Sequence, residues 1–250
     1  MYIDTHCHLS SEDYDDIDLV VKENRENNID KIIISGYSRD TIVETLELIN
    51  KYEDVYATIG YHPSETDITT DKDLILLEEQ IKNKKVVGIG EIGLDYHYGN
   101  ENKDKQIVLF RKQMELASKY KLPVVIHSRD ATADTISVLK EYEVIGDMHC
   151  FSGSLETAKI YISIGYKLGI GGVVTFKNSI LYKVVESVGL ENIILETDSP
   201  YLTPEPFRGK KNSSKYIPYI SEKIANILNC SVEKVADITT KNAISLFDLK

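Results

Sequence analysis

The sequence has few cysteines and no long apolar segment, and both deficits narrow the class of protein. It contains 3 cysteines, an odd number, and shows no export signal at its start, which favours reduced thiols over disulfide bonds. No apolar run approaches the roughly 18–20 residues that a membrane-spanning helix needs. We therefore expect a soluble, cytoplasmic protein that does not associate with membranes.

Positive charge is also scarce. With 29 basic against 40 acidic residues, the formal net charge is −11, which argues against broad electrostatic binding to nucleic acid. A nucleic-acid substrate is not excluded, because bound divalent ions would create a local positive field in an otherwise acidic protein.

The chain lacks glycine- or proline-rich linkers and low-complexity segments, so it shows no internal boundary. Hydrophobic residues make up 42% of it, enough for a substantial core. We predict a single domain over residues 1–250, a length typical of α/β barrels.

Short apolar runs alternate with amphipathic stretches along the chain. The predicted strands are 2–8, 31–36, 55–61, 86–92, 123–128, 146–151, 167–171 and 192–197. The predicted helices are roughly 13–28, 39–52, 72–82, 103–121, 131–142, 155–165, 178–187, 214–229 and 232–247. Eight strand–helix repeats favour a parallel α/β fold whose strands are covered on both faces.

Two parallel folds fit this alternation, a TIM-type (β/α)8 barrel with C-terminal capping helices and a doubly wound open sheet. An open sheet gathers its ligand groups at one switch point between two strands. Here, polar candidates follow the first, third, fourth, fifth, sixth and eighth strands. Because only a closed barrel brings so many strand ends to one mouth, the barrel is the favoured fold.

The polar candidates are histidines and carboxylates. In the first strand, the period-2 pattern puts His6 and His8 on one face and Cys7 on the other. A lone histidine at a strand end is more often a hydrogen-bonded structural residue. Recurrence at the ends of different strands instead indicates one site, formed by His6, His8, Glu91, His127, His149 and Asp198.

Imidazole and carboxylate together suit divalent ions such as Zn²⁺, Mn²⁺ or Mg²⁺. In the simplest arrangement, His6, His8 and Asp198 hold one ion, which we call the first metal position. His127 and His149 hold another, the second metal position, and Glu91 bridges the two. Two ions about 3.5–4 Å apart could share a water that becomes hydroxide near neutral pH.

Seven motifs in order along the whole chain carry a family resemblance: Asp4-Thr5-His6-Cys7-His8, Gly60-Tyr61-His62-Pro63, Gly90-Glu91-Ile92-Gly93-Leu94-Asp95-Tyr96, Pro123-Val124-Val125-Ile126-His127-Ser128-Arg129, His149-Cys150-Phe151-Ser152-Gly153, Glu196-Thr197-Asp198-Ser199-Pro200-Tyr201-Leu202 and Pro206-Phe207-Arg208-Gly209-Lys210. With them the chain resembles the TatD family of metal-dependent deoxyribonucleases, within the amidohydrolase superfamily.

This resemblance implies a TIM-type barrel that cleaves phosphodiester bonds with divalent metal, typically as a 3′-to-5′ exonuclease on single-stranded DNA and sometimes on RNA. It implies the same ligands, with Glu91 in both metal positions and Asp198 as general base. Many relatives in the superfamily bridge their ions with a carboxylated lysine. A glutamate in that place favours the TatD branch.

Several residues outside the metal set are candidates for substrate contacts. His62, presented by the turn at Pro63, is either a donor to a phosphate oxygen or a residue that stabilises the turn. Arg129 and Arg208 can pair bidentately with phosphate. Lysines and aromatic side chains nearby are candidates for phosphate attraction and base stacking, or for ordinary surface and rim packing: Lys210, Lys211, Lys215, Tyr96, Tyr201 and Phe207.

The sequence departs from the family at Ser213-Ser214, where Glu-Pro is usual. Serine is a good helix N-cap, so the change can simply begin the next helix. It puts in doubt any substrate contact that the family's glutamate makes.

Two other functions remain open. The same metal site could hydrolyse a carbonyl substrate such as D-aminoacyl-tRNA, because an activated water attacks carbon as readily as phosphorus. A metal-stabilised scaffold is disfavoured, because structural zinc sites usually draw four ligands from nearby residues. We expect a monomer with no obligate protein partner.

Overall fold

The computed structural model describes residues 1–99 and 101–250, and over these residues strands and helices alternate from end to end. The strands are β1 (Tyr2–Cys7), β2 (Ile29–Gly36), β3 (Val55–Ile59), β4 (Val86–Asp95), β5 (Val124–Arg129), β6 (Gly146–Met148), β7 (Tyr166–Ile170) and β8 (Ile193–Leu195). All pairings are parallel, in the order β1 to β8.

The sheet closes into a barrel between its first and last strands. Beyond the end of β8, the Asp198 N–H donates to the His6 carbonyl at 3.0 Å, and the His8 N–H donates to the Ser199 carbonyl at 2.7 Å. These hydrogen bonds join the two edges at the C-terminal end of the barrel. The TIM-type barrel is therefore confirmed, and the open sheet is excluded.

The helices cover the outside of the barrel and its N-terminal end. They are α1 (Ile17–Glu26), α2 (Arg39–Lys51), α3 (Asp71–Gln80), α4 (Lys103–Tyr120), α5 (Thr132–Leu139), α6 (Leu155–Ser163), α7 (Leu181–Val188), α8 (Ile217–Leu228) and α9 (Val232–Phe247). In the part of the chain that the structure covers, none combines the length and apolar character needed to cross a membrane.

Some helices begin later than predicted. Helix α1 begins at Ile17 rather than at 13, because the Asp16 carboxylate accepts the Leu19 N–H at 2.9 Å and caps the helix there. Helix α8 begins at Ile217, after a 3-10 turn over Ser214–Tyr216.

Strands β6 and β8 end earlier than predicted, at Met148 and Leu195. Two of the residues that follow them, Cys150 and Asp198, have left-handed φ values of 47° and 53°, a conformation that a strand cannot continue through. The chain thus turns at the places where functional residues were predicted.

The N-terminal end of the barrel interior is filled with apolar side chains, which we call the floor. Helix α9 closes the floor from below with Phe247, which is 2% exposed. The floor consists of Ile3, Ile33, Val87, Val125, Ile194, Ala243, Leu246, Phe247 and Leu249.

Strand β1 does not alternate regularly. Ile3 belongs to the floor inside the barrel, and strict alternation would turn His6 outward. The register of β1 against β2 shifts between Asp4 and Cys7, as a β-bulge does. This irregularity allows both Ile3 and His6 to face the interior.

Candidate metal centre

The C-terminal mouth of the barrel brings together all six residues predicted as metal ligands. Three groups among them have potential ligand atoms that lie within 4.8 Å of one another: His6, His8 and Glu91; His6, His149 and Asp198; and Glu91, His127 and His149. They come from β1, β4 and β5 and from the turns after β1, β6 and β8.

Glu91 lies at the centre of this cluster and is 5% exposed. Its Oε2 is 3.7 Å from His6 Nε2 and 4.0 Å from His8 Nε2. Its Oε1 is 2.7 Å from His127 Nδ1 and 3.3 Å from His149 Nε2. Each carboxylate oxygen therefore faces a different pair of histidines, as a bridging ligand requires.

Asp198 completes the group around Glu91 Oε2. Its Oδ1 lies 3.7 Å from His6 Nε2 and 3.5 Å from His8 Nε2. The turn that presents it is held by Asp4, whose carboxylate accepts the Thr197 hydroxyl at 2.6 Å and the Thr197 N–H at 3.0 Å. Asp4 is buried in this role, and burial raises its pKa to about 7.

The donor atoms fit divalent ions. Both ring nitrogens of His6 and Nδ1 of His8 are buried and have no hydrogen-bond partner among residues 1–99 and 101–250. Buried polar groups without partners are rare unless a ligand or water satisfies them. Imidazoles around a shared carboxylate match the ligand preferences of Zn²⁺ and Mn²⁺.

The electrostatics of the cluster also suit a cation. Burial alone would raise the pKa of Glu91, but nearby histidines, His149 foremost, hold it well below its usual range. Burial drives the pKa of His6 well down, so His6 is neutral and one of its ring nitrogens has a free lone pair. Burial opposes protonation of His127 too, yet its hydrogen bonds to Asp95 and Glu91 raise its pKa to about 9, so this ring must lose a proton before it can bind a metal ion.

His62 lies at the edge of the cluster, with Nε2 3.8 Å from Glu91 Oε1. Its Nδ1 accepts the Ser64 N–H at 3.0 Å, so in the neutral ring Nε2 carries the proton. Burial lowers the pKa of His62 to about 4, so the ring is neutral. This tautomer makes Nε2 a donor directed into the mouth rather than a metal ligand, although His62, Asp95 and His127 lie close enough to form a further candidate group.

The two predicted arginines occupy the rim in different ways. Arg129 ends β5, two residues after His127, and its guanidinium stacks over the ring of Tyr98 at 5.5 Å. The Arg208 guanidinium stacks over Phe176 at 4.0 Å and donates to the Thr203 carbonyl at 3.1 Å. Both are exposed, but the side chain of Arg208 is already engaged by its own loop.

Of the aromatic candidates, Tyr201 faces the cluster, with its ring 6.2 Å from that of His8. The other two are turned to other partners. The Tyr96 hydroxyl donates to Asp134 at 3.0 Å, and Phe207 stacks on Tyr216 at 4.5 Å.

Two of the candidate lysines are likewise engaged. Lys215 pairs with Glu23 at 2.7 Å, and Lys211 donates to the Asp13 carbonyl.

Tyr37 was not predicted, yet its ring lies 5.2 Å from that of His8 and 6.4 Å from that of His62. It directly follows β2. The strand-end criterion that identified the histidines could therefore have found it.

Two carboxylates in contact with ligand histidines were also missed. Asp95 Oδ2 lies 3.3 Å from His127 Nε2, and Glu196 Oε2 lies 3.5 Å from His149 Nδ1. Both belong to recognised motifs. Glu196 and Asp198 are two residues apart, so strand alternation would place both side chains on the same face. That spacing could have identified Glu196.

The departure at Ser213-Ser214 lies away from the mouth surface. Both residues are buried, and the Ser213 hydroxyl lies 3.4 Å from Asn24 Oδ1. Ser213 lies at the N-cap of the 3-10 turn that leads into α8, so the serines do begin the next helical segment, although the side chain of Ser213 makes no capping hydrogen bond.

Comparisons with known proteins agree with this geometry. A family model described as TatD related DNase matches residues 3–248. An uncharacterized metal-dependent hydrolase of Bacillus subtilis, YabD, is 43% identical and is aligned over 99% of each chain. The crystal structure of the Escherichia coli TatD homolog YjjV superposes with a TM-score of 0.92 at 28% identity, covering 100% of this chain and 98% of the other.

A hydrolase of the TatD family from Entamoeba histolytica superposes with a TM-score of 0.86 at 26% identity. The alignment covers 98% of this chain and 97% of that one.

Proposed function

The chain belongs to the family of TatD-related DNases and is a metal-dependent hydrolase, and we propose that it cleaves phosphodiester bonds of single-stranded DNA, from the 3′ end, with two divalent ions. The observation that carries this proposal is the division of the two Glu91 oxygens between two pairs of histidines. That arrangement is the one expected of a ligand shared by two metal positions.

Two bound ions would activate a water and neutralise charge on the attacking and leaving oxygens of the phosphate. We assign to Asp198 the role of orienting that water and taking its proton. Its side chain is 15% exposed, against 6% for Glu91, so it is the more open of the two carboxylates. Glu91, held between four histidines, is assigned to binding alone.

His62 and Arg129 are proposed to hold the scissile phosphate. The Nε2–H of His62 points into the mouth and can donate to a nonbridging oxygen. Arg129 lies on the same strand as His127 and supplies positive charge at the rim. Arg208 is the weaker candidate, because it must leave Thr203 and Phe176 to reach a phosphate.

Tyr37 and Tyr201 favour an unpaired strand. Their rings lie 5.2 and 6.2 Å from that of His8, and Tyr201 is 57% exposed. Aromatic side chains at a rim can stack on bases without reading their sequence. RNA is a possible second substrate of the same surface. The monomeric state and the cytoplasmic location stay predictions from the sequence.

The test is cleavage of end-labelled single-stranded DNA by protein that is stripped of metal and reloaded with Mg²⁺, Mn²⁺ or Zn²⁺. We expect stepwise shortening from the 3′ end that requires metal and is lost in Asp198→Asn. Protein that holds two ions but cleaves neither DNA nor RNA would contradict the proposal. Hydrolysis of D-aminoacyl-tRNA by that same protein would establish the carbonyl alternative.

A further inference from the structure

The four ligand histidines differ in what their second ring nitrogen contacts. Each directs one nitrogen toward Glu91: Nε2 in His6, His8 and His149, and Nδ1 in His127. A histidine binds metal through one nitrogen, and a partner on the other nitrogen fixes the ring and its tautomer. We call this second nitrogen the outward nitrogen. Its contacts show how firmly each ligand histidine is held in one orientation.

At the second metal position, both outward nitrogens face a carboxylate. Asp95 Oδ2 is 3.3 Å from His127 Nε2, and the side chain of Asp95 is 11% exposed. Glu196 Oε2 is 3.5 Å from His149 Nδ1, and the side chain of Glu196 is fully buried. The second contact does not meet the geometry of a hydrogen bond, and both of its atoms lack a hydrogen-bond partner among the described residues.

Each of these carboxylates is itself anchored by a backbone N–H. Asp95 Oδ1 accepts from the His97 N–H at 2.8 Å, and Glu196 Oε1 accepts from the Cys150 N–H at 2.6 Å. One oxygen is thus fixed by the main chain, and the other is presented to a histidine. The same construction occurs on two different strand ends.

At the first metal position, the carboxylates near His6 and His8 face Nε2 and not the outward nitrogen. Nδ1 of His6 and Nδ1 of His8 are buried and have no hydrogen-bond partner in the described part of the chain. The two positions therefore differ in whether a carboxylate faces the outward nitrogen, although Nδ1 of His149, like Nδ1 of His6 and His8, makes no hydrogen bond among the described residues.

We propose that Asp95 and Glu196 are positioning residues that fix His127 and His149 in opposite tautomers. They thereby strengthen metal binding at the second metal position but not at the first. His127 carries its proton on Nε2 and offers Nδ1 to the metal, whereas His149 carries its proton on Nδ1 and offers Nε2. The proposal rests on the metal centre of the proposed function and not on the identity of the substrate.

Asp95→Asn and Glu196→Gln test this assignment with almost no change in shape. The backbone N–H of His97 or Cys150 retains the new carbonyl oxygen, so the amide NH₂ faces the histidine. An NH₂ cannot accept a proton, so the ring must turn its proton toward the metal side, where it blocks ligation. Zinc titration of each variant should show one ion held at wild-type affinity and the other about 10–100-fold weaker.

Two control variants separate positioning from the loss of a carboxyl group elsewhere near the site. Asp130→Asn removes a carboxylate 3.1 Å from Nδ1 of His97, a histidine outside the cluster. Asp147→Asn removes a buried carboxylate near Glu196 whose oxygens have no hydrogen-bond partner in the covered residues. Both should bind two zinc ions like the wild type. A weaker second ion in Asp147→Asn would show that the polar surroundings of Glu196, not the orientation of His149, carry the effect.

Long-range ¹H–¹⁵N spectra of the zinc-loaded wild type test the tautomers without any mutation. We expect one ligand ring protonated at Nε2 and assigned to His127, and His149 protonated at Nδ1. The same tautomer in both rings would overturn the proposal, as would loss of both ions together in folded Asp95→Asn or Glu196→Gln. Absence of nuclease activity alone would leave these results unchanged, so the two proposals fail separately.

Discussion

The two ends of the barrel interior are built from the same strands but have opposite properties. At the floor, β4 and β5 contribute Val87 and Val125 to an apolar cluster. A few residues further along the same strands, they contribute Glu91 and His127 to the mouth. The floor is filled by apolar side chains, whereas the mouth contains buried nitrogens that have no hydrogen-bond partner among residues 1–99 and 101–250.

This contrast separates stability from function along one chain. The apolar floor, closed by Phe247, supplies burial that depends on no ligand. The mouth concentrates charged and unpartnered groups, which reduce stability in the absence of an ion. Mutations at the two ends should therefore affect different measurements.

The largest effect is expected at the mouth. Asp198→Asn should reduce kcat by about 10²–10⁴-fold, the usual contribution of a general base, with little change in Tm. The control is Asp248→Asn beside the floor, because Asp248 has a similar left-handed φ, 49° against 53°, and is exposed. Near-wild-type turnover by Asp198→Asn, with both ions bound, would remove Asp198 from its assigned role.

Truncation of a side chain at the floor should lower stability and leave turnover unchanged. Phe247→Ala removes a side chain that is 2% exposed and should lower the free energy of unfolding by about 3–5 kcal/mol. Urea unfolding measures the loss, and kcat of the folded fraction should stay at the wild-type value. A proportional loss of turnover would show that the floor and the mouth are not separable.

Metal should stabilise the protein through the mouth alone. Zinc at about 100 times its Kd should raise the free energy of unfolding by about 2.7 kcal/mol for each ion bound. The increment should be equal in the wild type and in Phe247→Ala, because the effects of distant sites on the free energy of unfolding are additive. Urea unfolding with zinc and with a chelator gives both values, and an increment that disappears in the variant would indicate coupling between the two ends.

The smallest effect concerns the edge of the mouth. His62→Ala should lower kcat/KM by about tenfold, since one hydrogen bond to a charged oxygen contributes about 1.5 kcal/mol. Zinc content should not change, because Nε2 of His62 carries a proton. The matched control is His97→Ala, a histidine that pairs with Asp130 outside the cluster. Loss of a zinc ion from His62→Ala would instead identify His62 as a ligand.

The fold and the six clustered residues followed from periodicity and strand ends. Apolar runs alternating with amphipathic ones define the strands, and a parallel barrel must bring their C-terminal ends together. That constraint placed Glu91 and His149 in one cluster although they are 58 residues apart in the sequence. The positions of these residues at strand ends were sufficient to predict the cluster, because all strands of a parallel barrel end at the same mouth.

The remaining features depend on contacts that periodicity does not encode. Asp95 and Glu196 lie close to ring nitrogens of His127 and His149, and Phe207 turns to Tyr216 instead of the mouth. The irregular register in β1 moves His6 to the interior against strict alternation. These details follow from side-chain packing and local hydrogen bonds, which a pattern of residue types leaves open.

The measurement that tests the account most directly is anomalous diffraction from crystals of the protein loaded with Zn²⁺ or Mn²⁺. We expect two peaks about 3.5–4 Å apart. One should lie between Glu91 Oε2, His6, His8 and Asp198, and the other between Glu91 Oε1, His127 and His149. A single peak at full metal load, or peaks that Glu91 does not bridge, would contradict it.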